Sequence, residues 1–242
     1  MIELQDVHKR LGGRQILDGL TLSVPQGMTF VLMGPSGTGK SVTLKHIIGI
    51  LRPDSGSVQV DGQEVPRMDR AQLMALRKRM GYLFQNGALI NWLSVAANVA
   101  LPLQEHSKLG KGEVDDRVHE VLRLVGMDHA AKQMPPDISG GMKLRAGLAR
   151  ALVTNPEYVL YDEPNAGLDP IISQQIHELI VEVRDRLGVT SLIVTHSRAC
   201  AVHCGDRIGV LEHGRIAVQG TVAEMTHSDH PLARAVLGGG AD

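Results

Sequence analysis

With 242 residues the chain is long enough to bury a substantial core, as one large domain or one domain carrying an inserted lobe. Its 25 basic and 26 acidic residues leave a formal net charge of −1, so no global field draws it to nucleic acid or acidic lipid, and any membrane contact must be local. The longest apolar runs, Met28 to Met33 and Val189 to Thr195, fall far short of the about 20 residues of a spanning helix, and no charged-then-apolar leader opens the chain. A cytoplasmic protein without a disulfide framework is expected, its core filled by aliphatic residues because aromatics make up only 2 %.

In chain order, Ile2 to Gln5 alternates, turn signals follow at Gly12-Gly13, and Leu20, Leu22 and Val24 alternate again, which predicts antiparallel strands. The apolar run Met28 to Met33 then leads into Gly34-Pro35-Ser36-Gly37-Thr38-Gly39-Lys40-Ser41 and a helical pattern, Val42 to Leu51. Strand, glycine loop and helix in that order make a P-loop. Its backbone N–H groups can curl around a phosphate at the helix N-terminus, Lys40 can reach the outer phosphates, and the Ser41 hydroxyl can ligate Mg²⁺. Beyond a loop at 52–56 come a short strand, Ser57 to Val60, a turn at Asp61-Gly62, and a helix to about Met80 opened by a capping box of Asp69 and Gln72. The basic residues Arg67, Arg70, Arg77, Lys78 and Arg79 are expected to form a solvated face.

Gly81 to Phe84 reads as a buried strand ending at Gln85. From there to about Val153 the pattern is helical, with loops at Lys108 to Gly112 and Met134 to Pro136, and this segment is the candidate inserted lobe. Strands and helices then alternate: Tyr158 to Tyr161, a helix from about Ile171 to Leu187, Thr190 to Thr195, a short helix, and a hairpin from Arg207 to Val218 turning at His213-Gly214. Alternation of this kind implies right-handed crossovers and a largely parallel sheet. Thr221 and Glu224 form a further capping box, and the tail from Gly238 is expected to be disordered. Cys200 and Cys204, with His196 and His203 nearby, could be a metal site, but no second ligand pair appears, and two half-buried thiols on one helix face are the simpler reading.

Val159-Leu160-Tyr161-Asp162-Glu163 is an apolar strand that ends in two carboxylates, which are costly there unless they serve a cation or a reaction. Ligands in α/β sheets lie beyond the carboxyl ends of the strands, so Asp162 is placed for Mg²⁺ and Glu163 for polarising a water. The same rule puts His196 near the outer phosphate, with a capping histidine as the alternative; Gln85 ends another strand, where its amide could touch both metal and water, a role its position alone leaves open. Ser139-Gly140-Gly141 opens another helix whose free N–H groups form a second anion cradle, although the chain has one P-loop and one acid pair. A head-to-tail pair of chains resolves this, each Ser139 cradle closing on the other chain's nucleotide.

In order, the P-loop, Gln85, Ile138 to Met142, the Asp162-Glu163 strand, Ala166-Gly167-Leu168-Asp169 and His196 resemble the Walker A, Q-loop, signature, Walker B, D-loop and switch histidine of the nucleotide-binding subunits of ABC transporters. Their co-occurrence covers nearly the whole chain. The resemblance implies one P-loop NTPase domain of the ABC ATPase α/β fold, with a mostly parallel core sheet, N-terminal antiparallel strands and an inserted α-helical lobe. Its ATPase core would be residues 1–85 and 154–237, its helical subdomain 86–153 and its tail 238–242. It implies that Gly34, Pro35, Ser36, Gly37, Thr38, Gly39, Lys40, Ser41 and Val42 hold ATP, that Ser139, Gly140, Gly141 and Asp169 also contact nucleotide, and that Ser41, Gln85 and Asp162 serve Mg²⁺. Glu163, His196 and Gln85 would carry the chemistry.

Arg77 to Met80, Leu83 to Leu89 and Asn98 to His106 further resemble the ATPases of Mla and Mce-associated lipid transporters, and Met142 in the signature agrees. That resemblance implies a second copy of the chain, an integral-membrane permease, a STAS-domain regulator and an Mce-type lipid-binding protein as partners, no nucleic acid, and a place on the cytoplasmic face of the inner membrane. The segment Asn86 to Leu103, including Trp92, would form the docking groove unless Trp92 is core. Leu11 departs from the family where many members carry an aromatic that stacks on adenine, and Asn165 where Thr or Ser is common. The alternatives are an ABC ATPase of another transporter, a soluble ABC-fold ATPase acting on DNA or ribosomes, and a nucleotide-gated regulator in which Glu163 is idle. The soluble class usually carries coiled-coil insertions or two ATPase modules, and this sequence has neither.

Overall fold

The computed structural model describes residues 1–237, so the expected disordered tail lies outside the described residues. In chain order its elements are β1 (Ile2–Leu11), β2 (Arg14–Val24), β3 (Thr29–Met33), α1 (Lys40–Ile47), β4 (Ser55–Val60), β5 (Gln63–Glu64), α2 (Arg70–Lys78), β6 (Met80–Leu83), α3 (Val95–His106), α4 (Lys111–Leu124) and α5 (Gly140–Leu152). Then follow β7 (Tyr158–Asp162), α6 (Pro170–Leu187), β8 (Thr190–Thr195), α7 (Arg198–Cys204), β9 (Arg207–Glu212), β10 (Arg215–Thr221), α8 (Val222–Thr226) and α9 (Pro231–Leu237).

The first, second, fourth and fifth strands make an antiparallel sheet in the order β2-β1-β4-β5, and the others a six-stranded sheet in the order β10-β9-β3-β8-β7-β6. Only β10 runs antiparallel in the second sheet. Every residue of β3 is buried, as a continuous apolar run in the middle of a two-sided sheet requires. Its alternate side chains serve two cores. Phe30 and Leu32 pack with Leu44 and Ile47 of α1 and with the antiparallel sheet, while Val31 and Met33 pack with Leu144, Ile180 and Cys200 on the opposite face. That second core continues into α3 and α4 through Val99 and Val118, so the helical segment between β6 and β7 shares its packing with the main sheet.

Several expectations shift. Helix α1 stops at Ile47 instead of Leu51, because Gly49 turns left-handed (φ +66°) and returns its N–H to the His46 carbonyl. Both capping boxes are present, Asp69 with Gln72 and Thr221 with Glu224. Cys200 and Cys204 are fully buried rather than half-buried, since α7 lies flat on α6 and β3, and no metal-binding group of His, Cys, Asp and Glu exists among the described residues. The basic stretch is not all solvated: Arg77 donates to the Ile48 carbonyl at 2.9 Å, and Arg79 is paired with Glu157 and Asp61. Burial alone would raise the Asp61 carboxyl, yet hydrogen bonds from the Met1 ammonium, Tyr158 and Arg79 outweigh it and hold it at about 2.

Trp92 is not core; it is 79 % exposed. It tips a loop that Asn98, itself fully buried, pins from below: the Asn98 side chain accepts from Ile90 N at 2.7 Å and donates to the carbonyls of Ile90, Leu93 and Ser94. Just before it, Asn86, Gly87 and Ala88 are three successive left-handed residues. They are fastened to α5, where Arg150 donates to the carbonyls of Gly87 (2.8 Å) and Ala88 (2.9 Å) and a Cβ on Gly87 would come within 2.3 Å of the Lys143 carbonyl. No helix among the described residues is long and apolar enough to cross a membrane.

Candidate active site

A cavity of about 340 Å³ opens at the carboxyl ends of β3, β7 and β8, and Ser36, Gly37, Gly39, Lys40, Ser41, Val42, Gln85, Glu163 and His196 line it. The loop from Gly34 to Gly39 can follow this wall because glycines occupy the positions where L side chains are strained or blocked. Gly39 has φ +108°, and a Cβ there would lie 2.8 Å from the Leu17 side chain. The N-terminus of α1 therefore faces the cavity with no acidic residue in its first turn, an environment suited to an anion.

Lys40 is only 6 % exposed and is held by the carbonyls of Gly34 (2.7 Å) and Pro35 (3.1 Å), with Glu163 Oε1 at 3.3 Å. Thr38 Oγ1 donates to the Pro35 carbonyl at 2.9 Å, closing the loop. At the end of β7 the backbone of Glu163 turns left-handed (φ +51°), and its N–H bonds the Val194 carbonyl of β8. That turn brings Glu163 Oε2 2.9 Å from His196 Nδ1 and 3.3 Å from His196 N. One carboxylate thus joins the P-loop lysine to the histidine at the end of β8.

Asp162 lies one residue earlier and faces the other way. Its Oδ1 accepts from Ser41 Oγ at 2.7 Å, a hydroxyl-carboxylate pair of the hard oxygen donors that a Mg²⁺ ion takes, usually with several waters retained. Its Oδ2 accepts from the Tyr82 phenol at 3.0 Å, whose pKa burial and the Asp162 charge push upward. Gln85, in a 3₁₀ turn after β6, completes the wall.

Gly34, Pro35 and Thr38 belong to the loop without lining the cavity, and four further sequence-predicted residues are elsewhere in the fold. Ser139, Gly140 and Gly141 do not line the cavity: Ser139 caps α5 by accepting from Met142 N, and Gly141 sits so close to α6 that a Cβ would lie 2.6 Å from Ile172. Asp169 caps α6, accepting from Ile172 N at 3.0 Å. Three residues given no site role from the sequence do belong: Ile16 and Ala166, the first residue of the D-loop motif, in the wall, and Tyr82 beneath Asp162. The aliphatic side chains in the wall are Ile16, Val42 and Ala166; Leu11 does not line it.

A family model described as ABC transporter matches residues 17–166, which run from β2 through the P-loop to the turn after Glu163. The chain belongs to the ABC transporter family. It is 42 % identical over 98 % of its length to the probable ribonucleotide transport ATP-binding protein mkl of Mycobacterium leprae (strain TN), of which it covers 69 %. To the intermembrane phospholipid transport system ATP-binding protein MlaF of Escherichia coli (strain K12) it is 39 % identical over its full length, covering 90 % of that protein. Among solved structures, a dimeric post-hydrolysis ATP-binding cassette bound to ADP and Pi superimposes with a TM-score of 0.83 at 30 % identity, over 92 % of this chain and 99 % of that one. The ABC ATPase fold and ATPase class expected from the sequence are therefore established, with a mostly parallel core sheet and an antiparallel N-terminal sheet.

Proposed function

We propose that the chain is the ATP-hydrolysing subunit of a phospholipid transporter, working as a head-to-tail pair on the cytoplasmic face of the inner membrane and driving a separate integral-membrane permease. The observation that carries hydrolysis is the position of Glu163, held by His196 on one oxygen and facing Lys40 with the other. A carboxylate so placed accepts the proton of a water attacking the terminal phosphorus, and His196 fixes its orientation. Lys40 and the α1 N-terminus neutralise the phosphate oxygens. Ser41 and Asp162, with Gln85 beside them, would hold Mg²⁺, whose role is to neutralise charge on the phosphates. The pair of chains is supported by Ser139, which lies outside its own cavity, and by the dimeric cassette that this chain resembles.

The lipid cargo is supported by the full-length similarity to the intermembrane phospholipid transport protein, and permease docking by the clamped Gly87-Ala88 segment that leads to the exposed Trp92 loop. That loop would dock the permease, and a STAS-domain regulator and an Mce-type lipid-binding protein would complete the assembly. The test is to purify the Glu163→Gln variant from detergent-solubilised membranes of its own host and identify what accompanies it. A polytopic permease with bound phospholipid is the expected result. A permease without lipid would remove the cargo assignment, and nucleic acid or ribosomes without a membrane partner would overturn the transport reading.

A further inference from the structure

Asp162 takes a hydrogen bond on each carboxylate oxygen: Ser41 Oγ on Oδ1 at 2.7 Å and the Tyr82 hydroxyl on Oδ2 at 3.0 Å. The parallel register pairs Tyr82 with Leu160, so the phenol must reach along the neighbouring strand to arrive at the end of β7. Its ring is steadied by Phe84, whose ring centre lies 4.2 Å away at a tilt of 33°. Its strand neighbours Met80 and Leu83 are buried and apolar, so the hydroxyl is the polar tip of an otherwise apolar strand, directed at one carboxylate. An ionised carboxylate has no proton to give, so Tyr82 is the donor.

We propose that Tyr82 is a positioning residue for the divalent cation of this ATPase, locking the plane of Asp162 so that Oδ1 stays turned toward Ser41. The proposal rests on the reading of Ser41 and Asp162 as the metal pair. A carboxylate held at one oxygen only can tilt about its last bond, and any turn short of the half-turn that exchanges its two equivalent oxygens takes the oxygen facing Ser41 out of line. Partners that hold a ligand from behind in this way commonly alter metal affinity by about 10–100-fold.

The experiment compares ATP affinity of the full-length chain by calorimetry in excess Mg²⁺ and in EDTA, for wild type, Tyr82→Phe, Tyr82→Leu and Asp162→Asn. The ratio of the two affinities isolates what the protein gains from the metal. Tyr82→Phe keeps the ring against Phe84 and removes one oxygen; it is expected to lower the ratio about tenfold while leaving the metal-free affinity and the melting temperature near wild type. Tyr82→Leu is expected to lower the ratio equally. A wild-type ratio in Tyr82→Phe, with Asp162→Asn lowered, would overturn the role of Tyr82 and leave the metal pair standing. An unchanged ratio in Asp162→Asn would overturn the metal pair itself. A parallel fall in metal-free and Mg²⁺ affinity for Tyr82→Phe would reduce Tyr82 to packing.

Discussion

Glu163 occupies a left-handed backbone conformation that costs a non-glycine residue about 1–2 kcal/mol, and it does so between the Lys40 ammonium and the His196 imidazole. The strain is offset by the bond from its N–H to β8 and by the contacts of both carboxylate oxygens. Glu163→Gln preserves the side-chain shape and removes the base, so phosphate release is expected to fall by roughly 10²–10⁴ while calorimetry still detects ATP binding. Lys40→Ala is expected to weaken ATP binding itself, because the buried ammonium beside the P-loop carbonyls is lost; unchanged affinity would contradict the P-loop assignment. Away from the site, Asp61 offers a pH signature. Its folded pKa of about 2 lies below the ordinary 3.8, so its contribution to stability is present above about pH 4 and is lost as pH falls through about 2. Because Asp61 is about a third exposed, solvent screens the pairing, and Asp61→Asn is expected to cost about 1 kcal/mol at pH 7 in urea unfolding, the two proteins converging toward pH 2.

Among the elements, those with a strong local signal were legible in advance. The P-loop, the acid-ended β7 and both capping boxes appear where the spacing put them, because each depends on residues within one turn or strand. The misreadings are tertiary. The burial of Cys200 and Cys204 depends on how α7 lies across β3, and the Tyr82 to Asp162 bond on the register of β6 with β7, which no local pattern encodes. Asn98 read as one residue of a helical segment, and only the fold shows it bracing the Trp92 loop. The clamp on α5 is likewise invisible in the sequence except as the glycine of Asn86-Gly87-Ala88. Gly87→Ala would strain a backbone at φ +74° and drive a methyl into the Lys143 carbonyl, so a loss of roughly 1–3 kcal/mol in thermal unfolding is expected. A melting temperature equal to wild type would show that the loop and helix are not in contact.

For the molecule as a whole, Ser139 lies outside the cavity of its own chain, and in the head-to-tail pair proposed above it would supply the wall that the partner's site lacks. Ser139→Ala is expected to leave ATP binding by the single chain unchanged, to reduce hydrolysis by roughly 10²-fold, as removing one anion-stabilising donor does, and to abolish the ATP-dependent dimer of the Glu163→Gln variant in light scattering. A stable dimer in the double variant would place the second anion cradle elsewhere. Arg150 and Gly87 bind the segment after Gln85 to the helix that Ser139 caps, so the chain leading to the Trp92 loop is fastened to the helix that begins at Ser139. In the proposed head-to-tail pair this would cross the wiring: a pull on one copy's loop would arrive first at the other copy's phosphates, and neither half would fire on its own account.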